Sequence, residues 1–275
     1  MRGKKLSIIE REIIMSRYEE EGATKLAKEL GRSIASVSNF ANRFGLKATN
    51  WFKRTAESRT NNSKTVNVNY FKGDWTREKA RLVGYIAADG NIRNGETSCI
   101  QLECSSIDDE LIWEMRGYLS SNHKVTTRPG RWKGDYLAEP TTYCKIHNRT
   151  LIKDLQALSN LNPRKSSAQI QIPQTLESHL KDDFIRGYFD GDGYVQSCCS
   201  ELGFCGCYSL MVEIRDHLCN KIKVSYRNIE PDGSIFQVRW MSKDDLTRLY
   251  HYLYDDAIFY LKRKKKVLET WIDQV

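Results

Sequence analysis

No stretch of this 275-residue chain is apolar for long enough to cross a bilayer. Met1-Arg2-Gly3-Lys4-Lys5 is basic, but charged, amphipathic residues follow it rather than the apolar core of a signal peptide. No membrane partner is expected, and the expected location is the cytoplasm or whichever compartment holds the genome that the protein meets. Zinc-type cysteine spacing is missing too. Cys198, Cys199, Cys205 and Cys207 form the only cluster, without paired C-x2–4-C ligands, and Cys99, Cys104, Cys144 and Cys219 are scattered. Reduced, mostly buried thiols are therefore expected ahead of a structural zinc.

Charge is present but unevenly spread. Residues 1–72 hold 15 Lys+Arg against 7 Asp+Glu, whereas residues 73–275 hold 28 of each. The whole excess of +8 therefore lies in the N-terminal quarter, which marks a nucleic-acid-facing segment there. Hydrophobic content is ordinary, and the length allows one large domain or two smaller ones with a proper core.

The chain is organised around two nine-residue stretches, Leu82-Val83-Gly84-Tyr85-Ile86-Ala87-Ala88-Asp89-Gly90 and Ile185-Arg186-Gly187-Tyr188-Phe189-Asp190-Gly191-Asp192-Gly193. Aligned without a gap, they share Gly at position three, Tyr at four, an apolar residue at five, Asp at eight and Gly at nine. Each reads as a helix end, with Gly90 and Gly193 stopping it in a left-handed turn. Gly84 with Ala88, and Gly187 with Gly191, leave a helical stripe without side chains, so two such helices can cross with their backbones nearly touching. Asp89 and Asp192 would then emerge side by side, each facing the negative end of a helix dipole. A divalent cation relieves that conflict. Mg2+ suits the place, since it takes one or two carboxylates and fills its shell with water and phosphate oxygens.

This pair of stretches resembles the LAGLIDADG homing endonucleases in their single-chain, two-repeat form. The resemblance implies that Asp89 and Asp192 bind the metal, one in each half. The family's other acid, at position six, is kept as Asp190 but is Ala87 in the first copy. Asn162-Pro163-Arg164-Lys165-Ser166 and Tyr260-Leu261-Lys262-Arg263-Lys264 resemble stretches where the family places a basic residue that reaches the active site. Lys165 and Lys264 are the corresponding catalytic candidates. Lys264 stands in the run Lys262–Lys266, so a solvated helix face, or a neighbour in that role, is the alternative.

In chain order, Ser7-Ile8-Ile9-Glu10 carries a capping-box pattern, followed by Ile9, Ile13 and Arg17 at helical spacing. A short helix over about Thr24–Leu30, a turn at Gly31, a cap at Ser33 and a third helix with Ile34, Val37, Ala41 and Phe44 on one face complete a unit at 1–47. Its order resembles a helix-turn-helix, with Ser36, Ser38, Asn39, Asn42 and Arg43 on the DNA side of the third helix. A small helical cap on the main domain is the alternative. Residues 48–72 read as a basic linker, with Trp51 and Phe52 either anchoring it or completing the first unit's core.

Repeat 1 (73–162) and repeat 2 (163–275) each read as αββαββα. In repeat 1, strands are expected at Asn91–Arg93, about 97–103, 123–128 and 141–147, and helices at 107–119 and 149–159. In repeat 2, strands are expected near 194–199, 202–206, 222–229 and 234–241, with Pro231-Asp232-Gly233 as a turn. Helices are expected at 208–219, 243–253 and 255–271. The fold class is thus α+β, and the resemblance implies that the two sheets form a saddle for the DNA major groove. Strand alternation puts Arg93, Gln101, Glu103, Lys124, Arg128, Lys145, Gln196, Ser197, Lys223, Arg227, Gln237 and Arg239 on the DNA side, unless these are ordinary solvated faces.

The expected activity is Mg2+-dependent hydrolysis of double-stranded DNA at a long, near-palindromic site, by a monomer needing no protein partner. A non-cleaving DNA-binding regulator on the same scaffold and an intron RNA maturase are the alternatives. With Met1 first and Asp273-Gln274-Val275 last, an intact intein is not expected.

Overall fold

The computed structural model describes residues 6–46, 64–95, 98–162, 170–196 and 198–272. Its chain divides into one unit over Met1–Lys64 and a second over Thr65–Val275. Among the described residues no helix is long and apolar enough to cross a membrane.

The first unit is helical. Its opening helix α1 (Ile8–Glu29) starts at the expected capping box: the Ser7 amide donates to Glu10 Oε2 at 2.6 Å and the Glu10 amide to Ser7 Oγ at 3.2 Å. Gly22, at φ 72° and ψ 171°, breaks α1 into two stretches, the second of which matches the short helix expected from Thr24. Helix α2 (Ile34–Arg43) is capped by Ser33, whose Oγ accepts from the Ser36 amide at 3.2 Å. Ile14, Tyr18, Leu26, Ala27, Val37 and Ala41 form the core. Ile34 and Phe44 are exposed instead of lying on the apolar face expected of that helix with Val37 and Ala41, and Ile9 on α1 is exposed as well. On α1 the side chains that reach the core are Ile14 and Tyr18, and Arg17 stays at the surface, where it bridges Glu21 and Glu29.

Most of the expected linker, residues 48–63, lies outside the described residues, as does Lys47 before it. From Thr65 onward the chain is packed. The Thr65 amide donates to Asn122 Oδ1 at 2.7 Å, the Asn67 amide to the Leu119 carbonyl at 2.9 Å, and Phe71 is buried in the second unit's core.

That second unit holds two copies of one plan. The first runs α3 (Arg77–Ala88), β1 (Asn91–Arg93), β2 (Cys99–Ser105), a 3-10 turn at Ser106–Asp108, α4 (Glu110–Tyr118) and β3 (Val125–Arg128). A two-rung hairpin, β4 (Trp132–Lys133) with β5 (Tyr136–Leu137), occupies the expected polar loop, before β6 (Thr141–Ile146) and α5 (Arg149–Ser159). The second copy runs α6 (Lys181–Asp192), β7 (Gly193–Gln196), β8 (Glu201–Gly206), α7 (Tyr208–Ile222), β9 (Glu230–Asp232), β10 (Ile235–Trp240), α8 (Lys243–Tyr254) and α9 (Lys262–Ile272). The antiparallel sheets have the same order, β1-β2-β6-β3 and β7-β8-β10-β9. One hydrophobic core underlies both, with α3 and α6 at its centre.

Two expected elements of repeat 2 are corrected. No strand forms at 222–229: α7 extends to Ile222, Lys223 takes a left-handed conformation, and side chains then hold the backbone. Asp245 accepts from the Ser225 amide at 2.7 Å, and Trp240 Nε1 donates to the Ser225 carbonyl at 2.8 Å. The edge strand begins only at Glu230 and tolerates Pro231 because it is an edge; the turn falls at Gly233-Ser234. Nor does a helix run from 255. Arg186 Nη2 takes the Tyr252 carbonyl at 2.7 Å and Arg77 takes that of Asp256, so α8 ends and α9 starts only at Lys262.

Candidate metal and nucleic-acid site

Helices α3 and α6 touch through the small-residue stripe. A Cβ placed on Gly84 would overlap the Phe184 carbonyl, and one on Gly187 would overlap the Arg81 carbonyl. The two clashes are related by the internal repeat, since Arg81 and Phe184 occupy the same position three residues before the motif glycine. One turn on, a Cβ on Gly191 would stand 2.5 Å from the Ala88 Cβ and 3.2 Å from Asp89 Oδ2. The Asp89 carboxylate therefore packs over the residue that precedes Asp192. Asp89 caps α3 and is exposed; Asp192 is the last residue of α6 and half-buried.

Neither helix stops in a left-handed glycine. Asp89 keeps right-handed helical angles, and Gly193 is extended at φ −84°. What excludes a side chain there is crowding: a Cβ on Gly90 would lie 2.6 Å from the Ile86 Cα, and one on Gly193 would lie 2.5 Å from the Phe189 carbonyl oxygen.

The motif tyrosines fix each helix to its own sheet. Tyr85 donates to the Glu103 carbonyl at 2.6 Å, and Tyr188 to that of Cys205 at 2.7 Å. Burial raises both phenol pKa values, and the neighbouring motif aspartates, Asp89 and Asp192, raise them further. Both tyrosines are thus held neutral beside the acids.

Lys264 is buried, not on a solvated face. Its Nζ donates to the carbonyls of Phe189 (2.6 Å), Asp190 (2.9 Å) and Gly193 (2.6 Å), closing the end of α6 beside Asp192. Burial lowers its pKa to about 8, against the upward pull of Asp190 and Asp89. At neutral pH it is a cation at the negative end of α6. Lys165 lies outside the described residues. Asp190 is sealed in an ion pair with Arg81, and burial raises its pKa in spite of that partner.

Among the described residues, no three His, Cys, Asp or Glu side chains gather as a metal cluster. Two carboxylates with solvent access still fit a hard dication that draws its remaining ligands from water and phosphate. None of the eight cysteines is in a disulfide; Cys99, Cys144 and Cys207 are buried, while Cys198 and Cys199 are exposed, against the expectation for that cluster.

Alternation and register set the open faces of the sheets. In the first, Arg93, Gln101, Glu103, Arg128 and Lys145 share one face. In the second, Gln196, Gln237 and Arg239 do. Gln101 is buried and donates to Glu103, which also pairs with Arg128. Arg239 pairs with Glu230 at 2.8 Å and Glu201 at 3.4 Å. Lys124, Lys223 and Arg227 lie off the strands; Lys124 and Lys223 are exposed, and Arg227 pairs with Asp245 at 3.4 Å. Ser197 lies outside the described residues. On α2, Ser36 and Ser38 are half-buried, and Asn39, Asn42 and Arg43 exposed.

The Arg81–Asp190 pair and the tyrosine anchors have no counterpart in the sequence reading. The shared tyrosine at position four was the visible signal for the anchors. No local signal joins Arg81 to an acid 109 residues away.

No protein-family model matches this chain, and no curated protein matches it. Among solved structures, it is similar to the LAGLIDADG meganuclease I-CpaMI bound to uncleaved DNA, at 12% identity over 73% of this chain and 92% of that one, TM-score 0.46. It is also similar to I-DmoI in complex with DNA and Mn, at 15% identity over 65% of this chain and 97% of that one, TM-score 0.42. A third is full-length DUF199/WhiA from Thermatoga maritima, at 13% identity over 76% of this chain and 66% of that one, TM-score 0.43.

Proposed function

We propose that the chain is a DNA endonuclease that hydrolyses both strands of a long, near-palindromic target with Mg2+ held at Asp89 and Asp192. The observation that carries this reading is the placement of the Asp89 carboxylate over Gly191, at the crossing of the two motif helices. Two acids brought together at two helix C-termini are a costly arrangement for stability alone. A bound dication supplies charge stabilisation at the phosphate and a water of lowered pKa. The chain's own residues do the positioning. Tyr85 and Tyr188 tie the helix ends to the sheets, and Lys264 offsets the dipole of α6 next to Asp192.

The open sheet faces carry Arg93, Arg128, Lys145, Gln196 and Arg239, side chains suited to phosphates and base edges. Residues 1–47 add a helix-turn-helix on flanking DNA through Ser36, Ser38, Asn39, Asn42 and Arg43, with the part of the expected 48–72 linker that precedes Thr65 as the tether, and Lys165 is a second basic residue for the site. Repeats 1 (73–162) and 2 (163–275) sit in one chain, so a monomer suffices.

The test is incubation of the full chain with a plasmid library of candidate loci, in Mg2+ and in EDTA. Linear products with defined ends in Mg2+ alone are expected. Tight, metal-independent binding without products would replace the nuclease with a DNA-binding regulator.

A further inference from the structure

The missing strand at 222–229 leaves an opening at the edge of the second sheet. A cavity of about 320 Å3 lies there, lined by Tyr226, Arg227, Asn228, Glu230, Arg239 and Met241. That volume is at the small end of ligand cavities, which run from about 300 to 1,000 Å3. It adjoins the open sheet face, to which Glu230 and Arg239 belong.

Its lining has a particular chemistry. Tyr226 is 65% exposed, yet its ring is held from one side: the Arg215 guanidinium carbon sits 4.1 Å from the centroid. Arg215 also donates to the Arg227 carbonyl at 3.4 Å, and the neighbouring Ser225 is pinned at both backbone polar groups by Asp245 and Trp240. The ring is thus a braced platform rather than a loose side chain. Met241, 53% exposed, adds a polarisable thioether. Around these apolar surfaces stand an amide (Asn228), a carboxylate (Glu230) and two guanidinium groups. Arg227 Nε is buried with no hydrogen-bond partner among the described residues. Arg227 is held by Asp245 at 3.4 Å, and Arg239 by Glu230 at 2.8 Å and Glu201 at 3.4 Å, so both guanidinium groups are fixed at the rim.

We infer that this cavity binds a single unpaired nucleobase, stacked on the free face of Tyr226, with its polar edge toward Asn228 and Glu230 and its phosphate toward Arg227 and Arg239. The inference rests on the nucleic-acid-binding reading of the second unit and goes beyond it, since a duplex lying along the sheets offers no unpaired base. An aromatic platform flanked by arginines is the means by which proteins hold single-stranded nucleotides.

The test uses the full chain in EDTA, so that it does not depend on cleavage. A short single-stranded oligonucleotide carrying 5-iododeoxyuridine is irradiated with the protein, and the cross-linked peptide is identified by mass spectrometry. Cross-linking at Tyr226 is expected, retained by Tyr226→Phe and lost in Tyr226→Ala. Base–aromatic stacking contributes roughly ten- to a hundredfold in affinity, so Tyr226→Ala should weaken oligonucleotide binding by that order. Thermal melts of both variants confirm folding, which an exposed side chain should not disturb. The four deoxynucleoside monophosphates form the second arm. If they bind as tightly as the oligonucleotide, with the same dependence on Tyr226, the base pocket stands and serves a free nucleotide. Cross-links elsewhere, or unchanged affinity in Tyr226→Ala, overturn the pocket. Duplex binding measured in parallel separates the two readings: if it persists while the pocket fails, the nucleic-acid reading survives alone.

Discussion

Arg81 and Asp190 form an ion pair inside the contact between α3 and α6, with side chains only 1% and 4% exposed. In the other half of the internal repeat, the same two positions are Phe184 and Ala87. One side of the pseudo-twofold contact is therefore ionic and the other apolar. Removing one partner of a buried pair leaves an uncompensated charge and costs roughly 3–5 kcal/mol, while replacing both with apolar groups is often neutral. Asp190→Ala should therefore lower stability by about that amount, and Arg81→Met combined with Asp190→Ala should regain most of it. Urea denaturation of the two single variants and the double variant measures the coupling. Additive losses would mean that the pair holds nothing together.

The same helix contact makes a prediction about its glycines. Gly84→Ala and Gly187→Ala each drive a methyl into a backbone carbonyl of the opposite helix, where no rotamer offers escape. Losses of about 4 kcal/mol or more are expected, in the range reserved for core disruption. Gly117, inside α4 with nothing near its absent Cβ, is the control. Gly117→Ala should stabilise by about 0.5–1 kcal/mol through helix propensity alone. Thermal melts of the three variants decide the matter.

What was legible in the sequence follows from the range of the interactions involved. The Gly-x-x-x-small stripes are local patterns, and they predicted the α3–α6 crossing that Gly84 and Gly187 make. Capping at Ser7 and Ser33 was legible for the same reason. The strand expected at 222–229 was not cancelled by anything near it in sequence. Asp245 and Trp240, about twenty and fifteen residues on, took the hydrogen bonds of Ser225 that a ladder would have used. Lys264 shows the same limit: its charged run suggests solvent, but three carbonyls at the C-terminal end of α6 and the start of β7, more than seventy residues away, draw it inside. At Gly90 and Gly193 a glycine is legible from the motif, but crowding and not handedness is what excludes a side chain.

Acid should find Asp182, at the opposite end of α6 from Asp192. Burial alone would raise its pKa, but His217 Nε2 at 2.8 Å and the Lys221 ammonium bring it down to about 2 from 3.8. A depressed folded-state pKa gives stability that is fully present above the unfolded value and lost as pH falls through the folded one. The advantage of the parent chain over Asp182→Asn should be steady above about pH 4 and shrink between 4 and 2. Parallel stability curves for the two proteins across that window would show that the carboxylate charge contributes nothing.

Deleting residues 1–47 removes ten Lys+Arg with six Asp+Glu. If the unit lies on flanking DNA, binding should weaken and its dependence on salt should flatten, because fewer counterions are released. Cleavage positions should not move. Affinity titrations at several salt concentrations measure this, and unchanged affinity at every one would exclude the helix-turn-helix reading.

Asp89→Asn and Asp192→Asn test the centre of the proposed function. Each keeps the size of the side chain and most of its hydrogen bonding but removes a charge from the place where a dication would sit. Metal activation is worth several kcal/mol, so cleavage should fall roughly a thousandfold or more. DNA binding in EDTA should survive and even tighten, because one negative charge fewer faces the phosphates. Stability should hold or rise, since each aspartate lies at a helix C-terminus, where a carboxylate opposes the dipole, and the Asp89 carboxylate packs against the residue before Asp192. Structural aspartates would behave in the opposite way: the variants would melt earlier, and whatever stayed folded would still cut. The decisive measurement is therefore paired, a thermal melt and a cleavage assay on the same preparation. Well-folded Asp89→Asn and Asp192→Asn proteins that cleave at the parent rate would remove the two carboxylates from the mechanism.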